Sequence, residues 1–84
     1  MKYTVVTTIF ADYQLADIWL RASDRQGVTN ASDRIERLLK SDPEQLGELR
    51  PDGFRSLVIH PLIVTFEVSQ DDRKVTVRSI LYRP

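Results

Sequence analysis

Residues 61–82 read Pro61-Leu62-Ile63-Val64-Thr65-Phe66-Glu67-Val68-Ser69-Gln70-Asp71-Asp72-Arg73-Lys74-Val75-Thr76-Val77-Arg78-Ser79-Ile80-Leu81-Tyr82. Two runs rich in β-branched and aromatic side chains, Leu62–Ser69 and Lys74–Tyr82, flank a polar break, the pattern of two strands joined by a hairpin turn. With Asp71 and Asp72 as a two-residue turn, Gln70 faces Arg73, Glu67 faces Thr76, Thr65 faces Arg78 and Ile63 faces Ile80. One face then carries Leu62, Val64, Phe66, Val68, Val75 and Val77 and must be covered, while the other is mixed.

The chain on the N-terminal side supplies the cover. Phe54–Ile59 is a third strand-like run, joined to Leu62 by the His60-Pro61 turn, and links this short imply antiparallel neighbours. Lys2–Thr8 is β-branched and aromatic and forms the first strand. From Phe10 the period changes: Ala11, Leu15, Ile18, Trp19 and Ala22 make the stripe of an amphipathic helix, with Trp19 in the core and Asp12, Gln14, Asp17 and Arg21 outward. After a break over Ser23–Thr29, Thr29 or Asn30 caps a second helix with Ala31, Ile35, Leu38 and Leu39 inward, and Asp42-Pro43 stops it. Glu44–Gly53 is a connecting loop. The fold class is α+β in the order β-α-α-β-β-β, with a helical hairpin packed on a small, mainly antiparallel sheet.

Composition bounds the function. The 84 residues suit one domain spanning 1–84, and 42% hydrophobic with 29% charged residues is the balance of a folded chain. Twelve Lys and Arg match twelve Asp and Glu, so no global field attracts nucleic acid, and any such contact must come from local clustering. With no cysteine and the single histidine His60, neither a disulfide nor a metal cage is expected, and no cofactor is implied. The alternating N-terminus is unlike a signal peptide and no apolar run is long enough to span a bilayer, so the expectation is a cytoplasmic protein without membrane contact. A domain of this size leaves much surface exposed, so a partner is expected.

The wording of these segments resembles the RelE/ParE superfamily of toxin–antitoxin and plasmid-stabilisation toxins. The resemblance rests on Tyr3-Thr4-Val5-Val6 with Ala11, Leu15, Ile18 and Trp19, on Ile35-Glu36-Arg37-Leu38-Leu39 and Asp42-Pro43, on Phe54-Arg55-Ser56-Leu57, and on Pro61–Val68, Asp71-Asp72-Arg73 and Val75–Arg83. It implies a toxin neutralised by a cognate antitoxin and acting either as a ribosome-dependent endonuclease of messenger RNA or on DNA gyrase. It also leaves open a non-toxic interaction domain of the same fold, and a homodimer. The antitoxin is expected to add an amphipathic helix or a strand in the groove between helices and meander.

For the metal-independent endonuclease, the resemblance places Arg55 and Arg83 at basic positions of the family. Leu57 stands where a second basic residue is usual, and Ile63 where the central strand usually has an arginine. With the sequence running out at Pro84, Tyr82 or His60 would take the place of the group that some nucleases carry on a C-terminal tail. Arg55, Arg78 and Arg83 are then expected to reach one end or face of the sheet and hold phosphate. The plainer readings stand beside these: a solvated turn histidine, and strand charges on Arg55, Arg73, Lys74, Arg78 and Arg83 paired with Glu67, Asp71 and Asp72. Arg34 and Arg37, alternating with Asp33 and Glu36, read as a solvated helix face.

Overall fold

In the computed structural model, which describes residues 2–84, the elements run β1 (Thr4–Thr7), α1 (Ile9–Arg21), α2 (Arg25–Ser41), a 3-10 turn (Pro43–Gln45), β2 (Glu48–Leu49), β3 (Arg55–Ile59), β4 (Leu62–Ser69) and β5 (Lys74–Tyr82). They form one five-stranded sheet in the order β1-β5-β4-β3-β2, with β1 parallel to β5 and every other pair antiparallel. The α+β order anticipated from the sequence holds, with a two-residue strand β2 added inside the stretch read as loop. Gly47, at φ 66°, admits that strand: a Cβ there would lie 2.3 Å from the Ser56 carbonyl oxygen.

The helices cover one face. Ala11 and Ile18 from α1, its C-cap Ala22, and Val28, Ala31, Ile35 and Leu39 from α2 close over Leu57, Leu62, Val64, Phe66, Val75, Val77 and Ile80, and no buried residue is polar or charged among the described residues. Strand alternation explains why β4 contributes Leu62, Val64 and Phe66 to this core.

The hairpin register differs from the sequence expectation beyond its middle. Glu67 does face Thr76, but the link is the four residues 70–73, and a bulge between Thr65 and Phe66 shifts the pairing by one, so that Thr65 faces Ser79, Val64 faces Ile80 and Ile63 faces Leu81. Arg78 is therefore the extra residue of the bulge rather than the partner of Thr65. The shift also turns Ile80 inward, where it is buried.

Further differences concern the helices. α2 begins at Arg25, with Asp24 rather than Thr29 or Asn30 as its cap; the Asp24 carboxylate accepts the Gly27 N–H at 2.9 Å. Gly27 reads as a breaker but suits this first turn, because a Cβ would meet that carboxylate at 2.4 Å. Trp19 is 41% exposed and not a core residue. Gln14, expected outward, turns to the sheet: its Oε1 accepts the N–H of Ile80 at 2.8 Å, on the edge of β5 where β1 has ended. Polar spacing alone cannot anticipate this, since the unpaired N–H arises only when β1 stops at Thr7.

Candidate functional site

Residues paired across strands share a face, so the register places each candidate side chain. Arg55 pairs with the fully buried Phe66 and lies on the helix-covered side, where its Nη1 donates to the Leu46 carbonyl at 3.3 Å. Beside it the Glu44 carboxylate accepts the Tyr3 hydroxyl at 2.7 Å and the side-chain amide of Gln70. The hydrogen bonds from Gln70 and Tyr3, with Arg55 and Arg73 nearby, hold the Glu44 carboxyl below its ordinary range, and the bond to Glu44 pushes the Tyr3 hydroxyl up. The Arg73 guanidinium stacks 5.2 Å from the Tyr3 ring. This network fastens the start of β1, the 3-10 turn and the β4–β5 link together.

Arg78 lies on the opposite, uncovered face. Its Nη2 is 3.1 Å from Glu67 Oε1, and its guanidinium sits 5.8 Å from the Phe54 ring. Next along this face come the small polar row Ser56, Thr65 and Ser79 and the apolar row Val58, Ile63 and Leu81.

His60, Tyr82 and Arg83 are at the far end of the sheet. Across a cis His60-Pro61 bond, His60 lines a depression of about 200 Å³ with Tyr82, Pro84 and the α2 start at Ser23, Asp24 and Gly27. The Arg83 backbone N–H donates to the Pro61 carbonyl at 2.8 Å, fixing the chain end against the turn. Tyr82 pairs with Leu62, four residues along β4 from Phe66, or about 13 Å. The structure thus gathers His60, Tyr82 and the Arg83 backbone at one end, and separates Arg55 and Arg78 from them and from each other by placing them on opposite faces.

The positions where the resemblance led to basic residues have local explanations. Leu57 is 9% exposed and pairs with Val64 in the core, where an unpaired charge would be costly. Ile63 stands between Val58 and Leu81 on the uncovered face.

A groove lies between the two helices. About 520 Å³ in volume, it is lined by Leu15, Ala16, Trp19, Leu20 and Val28, with Asp12 and Asp33 at its rim. Against the lining residue Trp19 lies Arg25, its guanidinium 4.8 Å from the ring and its Nε and Nη2 donating to the carbonyls of Trp19 and Leu20 at 3.0 and 3.1 Å. A smaller cleft of about 150 Å³, lined by Val5, Leu15, Ile35, Glu36, Leu39 and Ile80 among others, opens between helices and sheet. Sequence reading missed the larger groove because it gave α1 a single apolar stripe. The signal was present in the second set of apolar residues on the same helix: Ile9, Tyr13, Ala16 and Leu20.

The fold can be set against solved structures. The toxin–antitoxin complex RelBE2 of Mycobacterium tuberculosis contains a chain that superimposes with a TM-score of 0.80 at 19% identity, covering 99% of this chain and 93% of that one. The chromosomal ParDE system of P. aeruginosa gives a TM-score of 0.73 at 15% identity, covering 99% and 98%. This chain shares the RelE/ParE-like fold. No family model matches the sequence, and no curated protein matches it significantly. Within the RelE/ParE fold, the described residues include no helix long and apolar enough to cross a membrane.

Proposed function

We propose that this chain is the toxin half of a toxin–antitoxin pair and that its antitoxin seats an amphipathic helix in the groove between α1 and α2. The observation that carries the reading is the groove itself, an apolar channel beside a helix whose outer side is also apolar, on a fold matched in two toxin–antitoxin systems. Helix-in-groove recognition needs this geometry. The acidic rim at Asp12 and Asp33 suits a segment with basic residues flanking its apolar stripe. The test is co-expression with the product of a neighbouring small reading frame, followed by titration calorimetry. A complex that Ala16→Arg weakens by about tenfold or more supports the groove, and the absence of any complex removes the reading.

For the target, action on gyrase has more support than RNA cleavage. A cleft that cuts RNA without metal needs convergent cations and a proton acceptor, whereas Arg55 bonds to Leu46, Arg78 pairs with Glu67, and the two lie on opposite faces. An endonuclease reading survives only at the His60, Tyr82 and Arg83 end. Expression of the chain alone, scored separately for protein synthesis and DNA supercoiling, separates the two. Unimpaired growth with antitoxin binding intact identifies a non-toxic interaction domain.

A further inference from the structure

Among the described residues, five of the eight exposed large hydrophobic side chains belong to α1: Ile9, Phe10, Tyr13, Trp19 and Leu20. Its buried residues, Ala11 and Ile18, face the sheet. On the opposite side Ile9, Tyr13, Ala16 and Leu20 follow one another at spacings of four, three and four, one continuous stripe with Tyr13 72% and Leu20 64% exposed. A helix apolar on both sides is normally covered on both.

The order of these spacings identifies the cover. Four, three, four reads the same from either end, so an antiparallel copy related by a two-fold axis level with Gln14 and Leu15 meets the stripe residue for residue. Ile9 opposes the partner's Leu20, and the Tyr13 ring lies over the small methyl of the partner's Ala16. The charges agree with this register. The partner's Asp12 comes within about 3 Å along the axis of the level of Trp19, where the Arg25 guanidinium is fixed over the indole ring. On the other flank the partner's Phe10 arrives between Asp17 and Arg21, whose ion pair is closed at 3.1 Å. Symmetry repeats each contact, so two carboxylates meet two guanidinium groups and the long apolar side chains are covered.

We propose that α1 pairs with α1 of a second copy as an antiparallel two-fold dimer. A helix of this length, about 20 Å, gives an interface at the small end of the specific range, so the dimer forms reversibly with a dissociation constant on the order of 10–100 μM. Ala16 and Leu20 also border the inter-helix groove, and so, resting there on the antitoxin reading, an occupied groove and the dimer exclude each other. Tyr13 lies outside the groove lining, which lets the two be tested apart.

Sedimentation velocity of the free chain should show the mass rising from the 9.7 kDa monomer towards twice that value between about 5 and about 500 μM. Tyr13→Glu should remain monomeric throughout, with unchanged circular dichroism and melting temperature because the side chain is exposed. Register is read by disulfide trapping in this cysteine-free chain. Across the proposed two-fold, like positions are about 16 Å apart and the Ile9 and Leu20 positions adjoin, so mixed Ile9→Cys and Leu20→Cys chains should cross-link at least about tenfold faster than either alone. A parent that stays monomeric, a Tyr13→Glu variant that associates like the parent, or like-with-like cross-linking as fast as the mixture each overturns the proposal.

Discussion

The hydroxyl of Thr8 donates to the backbone carbonyl of Arg78 at 3.3 Å and, at the same oxygen, accepts the N–H of Ala11 at 3.1 Å. The Thr8 N–H in turn donates to the Val77 carbonyl at 3.1 Å. One residue therefore ends β1, caps α1 and bonds the carbonyl of Arg78, the residue that the β5 bulge leaves without a partner on β4. The bulge sets which face Arg78 and Ile80 occupy, so Thr8 links the helix start to the layout of the sheet.

Replacing Thr8 with Val keeps the shape and removes both hydroxyl bonds. A lost cap costs about 0.5–2 kcal/mol, which in a domain this small lowers the melting temperature by roughly 4–8 °C per kcal/mol. Thr8→Ser should recover most of the loss, since it retains the oxygen. Calorimetric melting of the three proteins checks this, and equal values for Val and Ser variants would mean that the cap contributes nothing.

Trp19→Ala should cost only about 1 kcal/mol, reflecting a partly exposed ring and one surface cation–π contact. Phe66→Ala should cost about 3–5 kcal/mol, because Phe66 is fully buried and leaves a cavity. Chemical denaturation of both variants gives the comparison, and a Trp19 loss as large as the Phe66 loss would contradict the exposed placement.

Trp19 also shows where the sequence was legible. The meander strands β4 and β5 were readable to the residue, because period-two alternation and a polar break are local signals. The helical hairpin was readable as well, and the inward side of α1 was read from Ala11, Leu15 and Ile18, which do pack on the core; only the placement of Trp19 was not, because apolar residues lie all round the helix and tertiary packing leaves Trp19 at the edge. The bulge was hidden for the same reason, since Arg78 is assigned to the uncovered face only once Thr8 and Ile80 are in place. For the candidate site, single residues could be named from the sequence, but their distribution over two faces and one end follows from the register and no spacing encodes it.

The Glu44 network predicts an acid dependence. Glu44 titrates below its ordinary value near 4.5, so the folded state binds its proton less readily than the unfolded chain does. Its contribution to stability is present above that value and is lost as pH falls through the lower folded pKa. Tyr3 behaves oppositely: its pKa is raised, so its contribution is present below 10.0 and is lost as pH rises through the higher folded value. Glu44→Gln should flatten the acid limb of the stability profile and reduce the rise on Tyr3, of which burial also carries a part. Denaturant midpoints between about pH 3 and 7 measure the first effect, and parallel profiles for parent and variant would contradict it.

The sharpest prediction concerns the five residues first considered for catalysis, because the structure divides them. If the chain cleaves RNA, the chemistry is at the end where His60 and Tyr82 line one depression and the Arg83 backbone is bonded to Pro61. There His60→Gln or Tyr82→Phe should reduce cleavage on translating ribosomes by about 10²–10⁴-fold, the usual worth of general acid–base catalysis. Arg83→Ala should reduce it by about tenfold through one lost charge-assisted bond. Arg55→Ala and Arg78→Ala should change it by less than about twofold, since their backbone positions lie about 13 Å from Tyr82 along the sheet and on different faces. Stability should hardly move for Arg78→Ala: its pair with Glu67 is partly solvated and contributes about 0–1 kcal/mol. Arg37→Ala, on the exposed side of α2, is the control. If the chain acts on gyrase instead, supercoiling inhibition should be indifferent to His60 and Tyr82 and sensitive to Tyr13→Glu or Leu20→Lys on α1. Toxicity that survives every one of these substitutions would move the functional surface off both the sheet end and the helical hairpin.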